Sequence, residues 1–151
     1  MNFVEKTIDL HRNGGLNCSQ AIMTAFGERC GMSPEAAKVL GRPWAGGMAR
    51  LGGTCGYLTG AILVLAQALR GGKEAENRKE LFRMVQELFT RFEERRGTTL
   101  CKELLGADIS TKEGYKKIQE ERITKKLCCG DYSIGKDVAE ILEDLISAMP
   151  S

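Results

Sequence analysis

The stretch Gly46-Gly47-Met48-Ala49-Arg50-Leu51-Gly52-Gly53-Thr54-Cys55-Gly56-Tyr57-Leu58-Thr59-Gly60-Ala61-Ile62-Leu63-Val64-Leu65-Ala66 is where glycine, cysteine and the longest apolar segment of the chain meet. Thr54 follows two glycines and precedes the apolar run, so it reads as an N-cap whose hydroxyl accepts from a free amide of the first turn. Cys55 is then the first residue of a helix. From Leu58 to Leu69 only Thr59 and Gln67 are polar, which predicts a helix buried on most of its circumference, the centre of the fold. A dozen or so apolar residues fall short of the ~20 needed to span a bilayer, so no membrane span is expected.

Gly56 and Gly60 stand four apart on this helix, each costing roughly 1 kcal/mol relative to alanine. Something must offset that cost. Close approach of a neighbouring helix is one explanation and access to the Cys55 sulfur is another; a face bare enough for the first also admits the second.

Working outward, 151 residues suffice for a single domain that folds without disulfide staples. Twenty-two basic and twenty acidic residues give a net charge of +2, and the basic pairs Arg95-Arg96, Lys116-Lys117 and Lys125-Lys126 are mixed with glutamates. This is a solvated surface and predicts no nucleic-acid partner. The N-terminal residues lack a basic segment followed by an apolar core, so no secretory signal is read and a cytosolic location is expected. Six cysteines in such a setting point to catalysis or metal binding rather than to a structural framework. None forms a Cys-x-x-Cys pair, which excludes a thioredoxin-type motif and a zinc knuckle. The only histidine, His11, falls on an amphipathic helix and reads as a solvated surface residue.

Apolar spacing predicts helices over Met1–Arg12, from Cys18 behind an Asn17 cap, from Ser33-Pro34, from about Glu74 to Glu94, and over a short unit around Cys101. A polar helix capped within Asp108-Ile109-Ser110-Thr111 follows to about Arg122, and an amphipathic one carries Val138, Ile141, Leu142 and Leu145. Lys125–Gly130 reads as a loop. Seven glycines between Gly41 and Gly60 mark a tight irregular connection in which Trp44 reads as a core plug. No segment alternates as a strand does. The expected fold is all-α, a single-domain bundle of about six to seven helices around the central one.

Cys18, Cys55 and Cys101 all fall in first turns of helices by this reading, whereas Cys30 sits at a C-terminus. A helix N-terminus carries roughly half a positive charge and favours thiolate by about 0.3 to 1 kcal/mol, at most ~2. The expected result is a thiol pKa below its ordinary value, with Cys55 the most reactive. The pattern points to thiolate chemistry or thiolate ligation.

Asn17-Cys18-Ser19-Gln20-Ala21, then Gly46-Gly47-Met48 leading to Thr54-Cys55-Gly56-Tyr57-Leu58-Thr59-Gly60-Ala61, then Cys101-Lys102-Glu103-Leu104-Leu105-Gly106, then a cysteine before the last helix resemble the C_GCAxxG_C_C family. Its members are described as redox-active proteins of about this length with four motif cysteines. The resemblance implies that the motif cysteines are Cys18, Cys55, Cys101 and one of Cys128 and Cys129, and leaves Cys30 without a counterpart. Tyr57 departs from it, since a small residue is usual two positions after the central cysteine. Three functions follow as expectations. The first is a cytosolic thiol-redox protein needing no cofactor, with Cys55 as thiolate, Cys18 as resolving partner, Cys101, Cys128 and Cys129 as further site residues, and an external redox partner. The second is ligation of zinc or an iron-sulfur cluster by four thiolates, Cys18, Cys55, Cys101 and either Cys128 or Cys129. The third is a helical interaction protein, a homodimer, whose cysteines fill the core.

Overall fold

In the computed structural model, which describes residues 1–150, the apolar run forms helix α4 (Gly56–Ala68) with Gly56, Tyr57, Leu58, Gly60, Ala61, Val64 and Leu65 buried. The helix starts one residue later than expected. Cys55, not Thr54, is its N-cap, because Thr54 is held in an isolated antiparallel bridge with Leu100. The Cys55 amide donates to the Thr99 carbonyl (2.9 Å) and the Cys101 amide to the Gly53 carbonyl (2.7 Å). Those bonds keep the chain extended up to Cys55, so no helical turn can begin before it.

Seven further α-helices surround α4 among the described residues: α1 (Phe3–Arg12), α2 (Cys18–Gly27), α3 (Pro34–Gly41), α5 (Glu74–Arg96), α6 (Cys101–Leu105), α7 (Lys112–Glu120) and α8 (Ile134–Ser147). The fold is all-α, with no strand among those residues. Its starts follow capping chemistry. Asn2 and Asn17 form capping boxes with Glu5 and Gln20, while Ser33, Thr111 and Ser133 accept from the amides three residues on. Helices α2, α5 and α8 pack on α4, and α1 lies across α2 and α8. One contiguous core results, with Ile22, Phe26, Tyr57, Leu58, Leu65, Leu88, Phe92 and Leu142 fully enclosed.

Two local expectations are overturned. Residues Thr124–Cys128 are not a loop but one π-helical turn. Trp44 does not plug the core: it is half-exposed in a 3-10 turn (Arg42–Trp44), and its indole N–H donates to the Leu40 carbonyl at 2.8 Å. Satisfying that donor on the last turn of α3 keeps the ring at the surface. No helix among the described residues is long and apolar enough to cross a membrane.

Helix α2 packs tightly on α4. A Cβ at Gly60 would lie 2.6 Å from Ile22 Cγ2 and 3.0 Å from the Ser19 carbonyl oxygen. Alanine would normally strengthen a helix, but here backbone must move. Gly60→Ala is therefore expected to lower stability by about 1–3 kcal/mol despite its better helix propensity. Urea unfolding at pH 7 checks the sign, and a gain in stability would contradict this packing.

Candidate functional site

Four cysteines arrive from four different elements. Cys18 opens α2, Cys55 caps α4, Cys101 opens α6 and Cys128 ends the π turn, and all four line one cavity of about 200 Å³. The capping box of Asn17 holds the first: its side chain accepts from the Gln20 amide (2.9 Å), and the Asn17 amide donates to Gln20 Oε1 (3.1 Å). The bridge between Thr54 and Leu100 holds the second and third in register. Gly56 removes the last obstacle, because any Cβ there would collide with Cys18 Sγ and come within 2.9 Å of the Trp44 carbonyl oxygen. Helix packing and sulfur access are thus served by the same bare face.

The other two cysteines stand apart from this cavity. Cys129 is buried beside Cys128, but its thiol faces the Thr124 and Lys125 carbonyls at 3.8 and 3.9 Å within its own turn. Of the five expected site residues, Cys18, Cys55, Cys101 and Cys128 are brought together and Cys129 is not. Cys30 is enclosed at the end of a 3-10 turn (Glu28–Cys30). All six are free thiols.

The expected lowering of the thiol pKa values is reversed. Burial pushes Cys55 up to about 11, even though the Tyr57 and Leu58 amides favour its thiolate. Burial pushes Cys101 up to about 12, with a further push from Cys55. Cys18 rises further still, by burial and then by repulsion from Cys55 and Cys101, against the help of the Ser19 and Gly46 amides. Cys128 is likewise raised, by burial and then by its cysteine neighbours. A helix N-terminus offers at most ~2 kcal/mol, about 1.5 pKa units, which desolvation of a sulfur inside a protein exceeds. At neutral pH the cavity holds thiols.

The sequence reading missed His11. It is half-buried instead of solvated, lines the cysteine cavity, and shares a 2.5 Å hydrogen bond between Nδ1 and the hydroxyl of the fully buried Tyr57. The rings meet edge to face at 5.4 Å. Gly135 of α8 makes room for the phenol, since a Cβ there would lie 2.5 Å from Tyr57 Cζ. The available signal was Tyr57 itself: a buried phenol needs a polar partner, and a tyrosine replacing a small residue demands one nearby. Burial lowers the His11 pKa to about 4, so the imidazole is neutral. Burial, then the surrounding cysteines, raises that of Tyr57, so the phenol keeps its proton.

The cavity mouth is formed by an unusual backbone. Gly46, Gly47, Met48, Ala49, Arg50 and Gly52 all have positive φ (69, 70, 68, 49, 61 and 77°). Three of these are not glycine, and a left-handed residue with a Cβ costs roughly 1–2 kcal/mol. Turn bonds hold the segment, among them the Ala49 amide to the Pro43 carbonyl (2.7 Å) and the Gly53 amide to the Gly47 carbonyl (3.0 Å). Arg50 emerges from it with its guanidinium 4.6 Å above the Tyr115 ring.

Fold and site together define an all-helical protein with four cysteines on one cavity. The chain belongs to the C_GCAxxG_C_C family: the family described as "Putative redox-active protein (C_GCAxxG_C_C)" matches residues 16–145, and a general redox role follows from that membership. No curated protein and no solved structure matches the chain. As the side chains stand, no three His, Cys, Asp or Glu residues among those described are gathered as metal ligands, so ligation requires the thiols to close in.

The neutral His11 makes stability depend on pH in a defined direction. Its folded pKa of about 4 lies below the ordinary 6.5, so between these values the unfolded chain takes up a proton that the fold does not. Stability should be flat in this respect above pH 6.5 and should fall as pH drops toward 4, by at most roughly 3 kcal/mol. Comparing urea unfolding of wild type and His11→Gln from pH 8 to 4 isolates the effect; parallel curves would contradict a buried neutral His11.

Proposed function

We propose that this protein performs thiol–disulfide redox chemistry in the cytosol, with Cys55 as attacking sulfur and Cys18 as resolving sulfur. The observation carrying this reading is Gly56, the neighbour of Cys55: having no Cβ, it lets Cys18 Sγ pack against the start of α4, where any Cβ would collide with that sulfur. In the forward step the Cys55 thiolate attacks one sulfur of an external disulfide R–S–S–R. A mixed disulfide forms, and the first R–S⁻ leaves to take up the proton Cys55 has lost. Cys18, deprotonated in turn, attacks the Cys55 sulfur of that mixed disulfide, and the second R–S⁻ leaves with the second proton. Two thiols have given up two electrons and two protons, and one external disulfide has become two thiols. Cys101 and Cys128, on the same cavity, are positioned to accept the oxidising equivalent by exchange.

With Cys55 near 11, about one thiolate in ten thousand is present at pH 7. Its attack on an external disulfide should therefore accelerate about tenfold per pH unit from 7 to 10. Site-resolved mass spectrometry of the oxidised protein should find the Cys18–Cys55 disulfide, which Cys55→Ser and Cys18→Ser each remove. An unaltered oxidation rate in Cys55→Ser would refute the assignment.

A second reading has its own support: four thiols on one cavity with raised pKa values become thiolates readily only beside a cation, as ligands of zinc or an iron-sulfur cluster do. In that case Cys18, Cys55, Cys101 and Cys128 are the ligands. Metal analysis and the visible spectrum of protein purified without oxygen decide between the two: stoichiometric metal lost in Cys55→Ser favours ligation, and metal-free protein that forms the disulfide favours exchange.

A further inference from the structure

We propose that the cysteine cavity takes one arm of a small anionic disulfide, its carboxylate on Arg50 and its apolar stem against Leu105, Ile109 and Ile118. This inference names the substrate class of the exchange reaction proposed above and rests on it.

The cavity wall decides the sign of the guest. Among the described residues Arg50 is the only charged side chain lining it, and no aspartate or glutamate of theirs does so. Among the described residues Arg50 has no carboxylate partner; its guanidinium rests on the Tyr115 face instead, leaving its N–H fork free for a planar anion. By contrast, Arg83, Arg91, Arg95 and Arg96 all pair with acids. Arg50 is also held at the mouth by the positive-φ segment that begins at Gly46, a conformation its own side chain disfavours.

A second source of positive potential has no counter-charge. The N-terminal ends of α2 and α4 open onto the cavity at Cys18 and at Cys55–Gly56. Thiolates would balance them, but burial keeps these sulfurs protonated near pH 7. An incoming carboxylate meets a positive, partly desolvated site. The size also sets a limit. About 200 Å³ lies below the ~300–1,000 Å³ of sites for drug-sized ligands, so one arm of a small disulfide fits and a folded protein's disulfide does not.

Three small disulfides of similar size and different charge test this: dithiodiglycolate (anionic), bis(2-hydroxyethyl) disulfide (neutral) and cystamine (cationic). Reduced wild type is oxidised with each, the rate of Cys18–Cys55 formation is followed by mass spectrometry, and each rate is divided by that of a free cysteine peptide. The expected preference is anionic over neutral by about tenfold, with cystamine slowest. Arg50→Gln should lose the preference and Arg50→Lys should keep part of it, with far-UV circular dichroism confirming that both fold. No preference in wild type, or the same preference in Arg50→Gln, overturns the inference. Binding of thiodiglycolate, which has no disulfide to exchange, is measured in parallel by calorimetry. If wild type forms no disulfide with any reagent, the exchange reaction fails; the anionic site then stands only if thiodiglycolate binds and Arg50→Gln weakens it about tenfold or more. Absence of such binding overturns it whatever the redox result.

Discussion

The close approach of α2 to α4 is the contact on which the rest of the structure depends. Two glycines one turn apart let the helices meet backbone to side chain, with Ile22 and Ser19 over Gly60 and Cys18 over Gly56. Each glycine costs roughly 1 kcal/mol of helix propensity, which burial of Ile22, Leu58, Ala61 and Leu65 outweighs at 1.5–3 kcal/mol for a large aliphatic side chain. The contact does two jobs because it runs to the very start of α4. Farther along the helix it would join two helices; at its N-terminus it also seats the Cys18 sulfur against Gly56, the neighbour of Cys55.

Burial then governs the chemistry of those sulfurs. Helix ends and backbone amides favour thiolates at Cys18 and Cys55, and desolvation opposes them more strongly. The same competition fixes Tyr57 and His11, both kept uncharged by burial and satisfied by each other. The centre is consequently neutral when reduced, in a positive surround. That state suits chemistry in which charge arrives with the reactant, and it limits unwanted reaction of exposed thiolate with oxidants.

Long-range order at the site comes from short, local devices. One isolated bridge between Thr54 and Leu100 sets Cys55 against Cys101, and one π turn separates the directions of Cys128 and Cys129 although they are neighbours in the chain. A run of positive-φ residues aims Arg50 across the mouth onto Tyr115. These features shape a cavity lined by four cysteines and one arginine in a member of a redox-active family.

The all-helical class, the central place of the apolar run and the helix starts at Asn17 and Ser33 were legible in the sequence, because periodicity and capping are local rules. So was the bare face of Gly56 and Gly60, since an unoffset glycine cost in a helix must have a cause. The start of α4 at Gly56 was not legible, because a bridge from residues some forty-five positions away overrides the cap signal of Thr54. Trp44 was misplaced because its indole is satisfied by the Leu40 carbonyl four residues back, and His11 because an amphipathic helix does not reveal which neighbour covers its polar edge. Above all, the ionisation of the cysteines belongs to the tertiary structure: a helix end acts through the amides of its own first turn, which are local in sequence, whereas desolvation depends on what the other elements of the fold place around each sulfur.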